Sequence, residues 1–216
     1  MKKFELTTES ITNEAGKKLF RIKALIDFGD VKAGELGGYV EKEGNVSQDD
    51  NAWVSGDAEV FGNAKVSGNA KVFGNAKVYD NAWVYDNARV SGDARVSGNA
   101  RVSGDAKVYD NARVYGDARV SGNAWVSGNA WVYGDALVFG DADYALVQGF
   151  GTEFRCTTFY RGKDKKIMVN CGCFHGNLEA FRKQAKETRS GKIAKEYLMI
   201  ADLMEYHFAS EDSSDE

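Results

Sequence analysis

Apolar and polar positions between Asn51 and Asp143 follow a six-residue phrase, Gly-Asn-Ala-x-Val-y, without a gap. The Val slot runs from Val54 to Val138 in steps of six and is Val at all 15 positions. The Ala slot runs from Ala52 to Ala142 and is Ala at all 16. Asn or Asp precedes every Ala, and Gly or Asp precedes that. So strict a period predicts a solenoid, in which each repeat buries its apolar side only against its neighbours. In Ala-x-Val the Ala and Val point to one side and x to the other, as in a short strand. Gly-Asn or Gly-Asp then turns the corner, because these residues tolerate positive φ at low cost. Three such strands make an 18-residue triangular coil, and residues 38–145 give six coils. At 4.7–4.9 Å per coil the rod is about 30 Å long.

Counting back by six from Gly56 reaches Asp50, Gly44 and Gly38. The repeat is therefore expected to start at Gly38 with a degenerate first coil. In it Val46 and Val40 occupy the Ala slot, and Gln48 and Lys42 the Val slot. Residues 1–37 do not repeat. Leu19–Ile26 alternates as a strand does, after the turn signal Asn13-Glu14-Ala15-Gly16, so a β hairpin is expected to cap the first coil.

Beyond Tyr144 the period stops. Phe154–Arg161 and Lys166–Cys171 read as strands around Gly162-Lys163-Asp164. Asn177 is a candidate N-cap for a helix carrying Leu178, Phe181 and Ala185, and Gly191 separates it from a second helix. The expected fold is mainly β: cap 1–37, parallel β-helix 38–145, and a small α+β domain 146–210. An acidic tail, 211–216, is expected to be disordered.

Positions 18 apart should stack, so recognition must be written on the outward x and y ladders. The second face carries Glu59, Lys77, Arg95, Arg113 and Trp131 at x, and Phe61, Tyr79, Ser97, Tyr115 and Tyr133 at y. Six consecutive x slots, Arg89 through Arg119, are basic. Yet residues 50–143 hold 9 Lys or Arg against 12 Asp or Glu, which argues against nucleic acid. The plain reading is a solvated surface of paired charges. The outward aromatics add a contact face, assigned to Phe61, Tyr79, Arg95, Arg113, Tyr115, Trp131 and Tyr133.

Candidate chemistry is sparse. Both histidines, His175 and His207, follow the repeats, so no imidazole base lies in the coils. Cys171-Gly172-Cys173-Phe174-His175, with Cys156 on the neighbouring strand, could supply a Cys3His zinc set; otherwise no cofactor is expected. Three cysteines are no disulfide framework, no apolar run suggests a signal peptide or membrane span, and a cytoplasmic protein is expected.

The units typified by Val66-Ser67-Gly68-Asn69-Ala70-Lys71 resemble the hexapeptide-repeat family. That resemblance implies a left-handed parallel β-helix and, often, acyl transfer. Family acyltransferases use a histidine base and a loop interrupting the coils, and residues 50–143 have neither. Asp27–Val40 and the Cys-Gly-Cys-Phe unit are similar to uncharacterised bacterial and phage-borne repeat proteins labelled transferases. The leading expectation is a non-enzymatic scaffold that forms homodimers or homotrimers or binds a protein partner. The resemblance also raises a phage counter-defence protein, an anti-CRISPR inhibitor of an immune nuclease; acyl transfer comes third.

Overall fold

A computed structural model describes residues 2–209 of the protein. The acidic segment 211–216 lies outside the described residues.

Strands β1 (Phe4–Thr12), β2 (Lys18–Ala24) and β3 (Leu36–Val40) form an antiparallel cap. Fifteen two-residue strands follow in six-residue steps, β4 (Trp53–Val54) through β18 (Leu137–Val138). Strands 18 residues apart pair in parallel, with Arg95 opposite Arg113 and Val96 opposite Val114. Three columns of five result, and β3 joins the second column to the cap as one eight-stranded sheet. Every Val and Ala slot from Ala52 to Val138 is buried. So narrow an interior admits Val at one inward site and only Ala at the other.

The first coil corrects the expected register. Val40 pairs with Val60 and Val46 with Val66, so both valines take the Val slot, not the Ala slot. The stretch between Val46 and Val54 therefore holds two extra residues. The larger side chain takes the larger site, and this slack frees Gln48 from the core. Its side chain accepts from Lys3 N (2.8 Å) and Phe4 N (3.2 Å) and donates to Phe4 O (3.1 Å).

The rod has polar ends. Each coil's N–H groups donate to carbonyls of the next, as in Trp53 N to Ala70 O. Carbonyls are thus left over at the N-terminal end and N–H groups at the C-terminal end, and each needs a partner. The caps answer in kind. Lys3, buried to 2% exposure, donates to Asp50 O (2.7 Å) and Ala52 O (2.8 Å). Asn45 donates to Gly62 O and Ala64 O. At the other end Thr158 Oγ1 accepts from Trp131 N (3.0 Å), and Asp143 Oδ2 accepts from Phe139 N and Gly140 N.

The C-terminal unit is a four-stranded antiparallel sheet, β19 (Tyr144–Phe150), β20 (Arg155–Arg161), β21 (Ile167–Cys171) and β22 (Phe174–Asn177). Helices α1 (Leu178–Thr188) and α2 (Gly191–Phe208) cover one side. Asn177 caps α1, its side chain accepting from Ala180 N at 2.8 Å. Alternation along β20 gives the sheet two jobs: Tyr160 plugs the solenoid core, while Phe159 packs under the helices. Neither helix is long and apolar enough to cross a membrane.

Candidate partner-binding surface

The corner acids do not pair with the cations. One slot forms amide ladders: Asn63 donates to Asn81, Asn81 to Asn99, and Asn99 to Asp117, at 3.0–3.2 Å. Asn75 ends on Asp93 and Asn87 on Asp105 in the same way. A carboxylate accepts but cannot donate, so each Asp terminates its ladder. Asp80, Asp86 and Asp110, in the preceding slot, accept from the N–H of Gly98, Gly104 and Gly128.

The expected surface of paired charges is therefore corrected. Among the described residues the only cations of the rod in ion pairs are Lys71, with Asp30, and Lys77, with Glu14 and Glu59. Among the described residues no carboxylate lies within salt-bridge distance of the six basic slots from Arg89 to Arg119. Three of them lie over rings instead: Arg101 over Trp83, Lys107 over Trp125 at 4.2 Å, and Arg113 over Trp131 at 4.9 Å. Stacking on a ring face does not use up the N–H donors of a guanidinium.

The seven contact residues expected from the sequence share one face but fall into two groups, parted by the small, buried Ser97. Tyr115 and Tyr133 lie 4.4 Å apart between centroids, and Trp131 meets Tyr115 edge-on at 6.3 Å. Arg113 completes this C-terminal group. Phe61 and Tyr79 stack at 5.1 Å with rings nearly parallel, but the cap encloses them with Leu19 and Tyr39, and Phe61 is buried. Phe61 holds the hairpin to the rod, and no outside partner can reach it as the ladder suggested. Arg95 lies between the groups, on the wall of a groove of about 860 Å3 that also takes in Asn13, Glu14, Lys77 and Tyr79.

Sequence periodicity could not reveal His175, which joins the C-terminal group from β22. Its ring meets Tyr133 edge-on at 4.8 Å, and Nδ1 lies 2.7 Å from Asn170 Oδ1. The Asn170 amide nitrogen donates to Trp131 O at 2.8 Å, so its oxygen faces the histidine and Nδ1 carries the proton. Burial lowers the His175 pKa, and Asp135 partly offsets this. The buried Tyr160 phenol, pushed up by burial, also takes the N–H of Tyr133.

The four candidate zinc ligands are not brought together. Thr157 stands opposite Cys171 and Asn170 opposite His175, so strand alternation separates the side chains. Cys156 lines a crevice with Trp131 and Asn170, whereas Cys171 packs with the helices. Among the described residues no group of three or more His, Cys, Asp or Glu is placed to hold a metal.

A family model described as YdcK Beta solenoid repeat matches the chain at residues 82–96, 94–110, 106–122, 112–128 and 118–134. No curated protein matches it. The matched rungs carry most of the unpaired cations, and with the coils described above they make the chain a repeat β-solenoid.

Proposed function

We propose that the protein is a non-enzymatic scaffold that docks a protein partner bearing carboxylates on the second face, around Arg95, Arg113, Tyr115, Trp131 and Tyr133. We take its winding as left-handed, as in the hexapeptide-repeat proteins its rungs resemble. The observation carrying the reading is the run of six basic positions with no ion pair among the described residues, on an otherwise acidic rod. Stacking like charges on neighbouring strands costs stability. Such a cost is retained where a partner offsets it, and carboxylates fit the free guanidinium edges. Exposed Trp131 beside Arg113 supplies the apolar anchor typical of a hot spot. Acyl transfer is disfavoured because no histidine lies in the coils.

The test compares wild type with the Arg95→Glu, Arg113→Glu double variant in affinity capture, at low and at high salt. Retention of a partner by wild type, lost in the variant and weakened by salt, supports the reading. Capture indifferent to both changes would sink it. Self-association through this face would appear in light scattering as a dimer or trimer that the same variant dissolves. Nucleic acid as the retained species would replace the protein partner.

A further inference from the structure

The segment Cys171-Gly172-Cys173 lies outside the proposed docking face. Cys171 ends β21 and pairs with Phe174, which begins β22, so Gly172 and Cys173 form a two-residue hairpin turn. Gly172 has φ +61 while Cys173 is not among the positive-φ residues, the pattern of a type II′ turn. Two residues joined through one other lie at most about 7 Å apart at Cα, and a tight turn brings them closer, into disulfide range.

The surroundings favour exchange chemistry. Cys173 is exposed and Cys171 half-buried, and both line one cleft with Arg155, Phe174, Arg189 and Tyr197. Arg155 Nη1 lies only 2.6 Å from where a Cβ on Gly172 would sit, so its guanidinium rests on the turn that joins the two cysteines. Neither Arg155 nor Arg189 has an ion-pair partner among the described residues. Positive charge thus stands where negative charge develops when sulfur attacks sulfur. Behind the turn, Thr157 Oγ1 donates to Cys171 Sγ at 3.1 Å. Phe174, Phe181 and Tyr197 form an aromatic floor, with centroids 5.6–5.7 Å apart.

We propose that Cys171 and Cys173 form a thiol–disulfide exchange site whose substrate is a low-molecular-weight disulfide. The Cys173 thiolate attacks one sulfur of that disulfide, forming a mixed disulfide and expelling one small thiolate. The Cys171 thiolate then attacks Cys173 Sγ, closing the Cys171–Cys173 bond and expelling the second. The protein thiols give up two electrons and two protons, and the small disulfide leaves as two thiols. A bridge across so short a loop is strained, which makes it readily reversible and suited to exchange more than to stapling the fold. Cys156, on the opposite face of the sheet, takes no part.

The test incubates the full chain in glutathione redox buffers, quenches with acid and alkylating agent, and maps the products by mass spectrometry. Wild type and Cys156→Ser are expected to form the Cys171–Cys173 bridge reversibly. Cys171→Ser should accumulate a glutathione adduct on Cys173, because nothing resolves it, and Arg155→Met should slow the first step several-fold. Thiols that stay fully alkylable in oxidised glutathione would overturn the proposal. So would a bridge that maps to Cys156, or a Cys171→Ser variant that traps no more adduct than Cys173→Ser.

Discussion

The carboxylate of Asp80 accepts the backbone N–H of Gly98 at 3.2 Å, one coil further along the same corner. An added Cβ at Gly62 would come 3.1 Å from Asp80 N, and one at Gly98 2.9 Å from Gly116 N. A side chain in this slot therefore points at the next coil. Asp80, with φ 60, is accommodated because what lies ahead of it is glycine. Asp50, Asp86 and Asp110 obey the same rule, facing Gly68, Gly104 and Gly128.

Gly98→Ala should accordingly destabilise the rod by about 2–4 kcal/mol, combining left-handed strain with the clash at Gly116. Gly128 shares the positive φ, at +62, but nothing lies within 4 Å of an added Cβ. Gly128→Ala should then cost only about 1–2 kcal/mol. Urea denaturation of the two variants checks the difference, and equal losses would refute the stacking argument.

Lys3→Met should cost about 2–4 kcal/mol, because it leaves the carbonyls of Asp50 and Ala52 buried without a donor. Burial also lowers the Lys3 pKa below its ordinary 10.5, although Asp50 opposes the shift. Hydrogen exchange should localise the damage to the cap and the first coils. Protection lost evenly along the chain would argue against a specific end cap.

His175 should make attachment of the C-terminal unit sensitive to acid. Its folded pKa lies below the ordinary 6.5, so the unfolded chain binds the proton more readily. Stability from this group is complete above 6.5 and falls as pH drops from there toward the lowered value. Thermal unfolding between pH 7.5 and 5, roughly the span of histidine titration, should show the loss. His175→Asn should flatten that part of the profile; an unchanged slope would remove His175 as its source.

Arg95→Glu should leave stability unchanged or raise it by about 0.5 kcal/mol, because it relieves repulsion from Lys77 and Arg113 on adjacent strands. Stability that rises while partner capture falls would separate binding from folding. A large loss of stability would instead give Arg95 a structural role.

The rod was legible because its period is a direct image of its geometry. Alternation put Ala and Val inside, and the 18-residue spacing put Arg95 beside Arg113, as the pairing has it. Asn177 as helix cap was equally local. The start of the repeat is not legible in this way, since counting by six cannot detect two extra residues between Val46 and Val54. Only the fit of Val40 and Val46 against Val60 and Val66 decides that register. The candidate surface was half legible. Its residues could be placed on one face, but burial of Phe61 depends on where the hairpin lies.

By itself, then, the sequence determined the architecture of the coils, because each rung contacts only its neighbours and local pattern suffices. Tertiary structure decided which charges are free and how the rod ends. Asp93, Asp105 and Asp117 look like partners for the cations until the ladders are seen to engage them. Lys3, Thr158 and Asn170 show no period, yet they satisfy backbone groups that the end rungs leave open, and Gln48 ties the first coil to the cap strand. Such contacts join residues 27 to 49 positions apart, and no local pattern encodes a hydrogen bond between segments that only folding brings together.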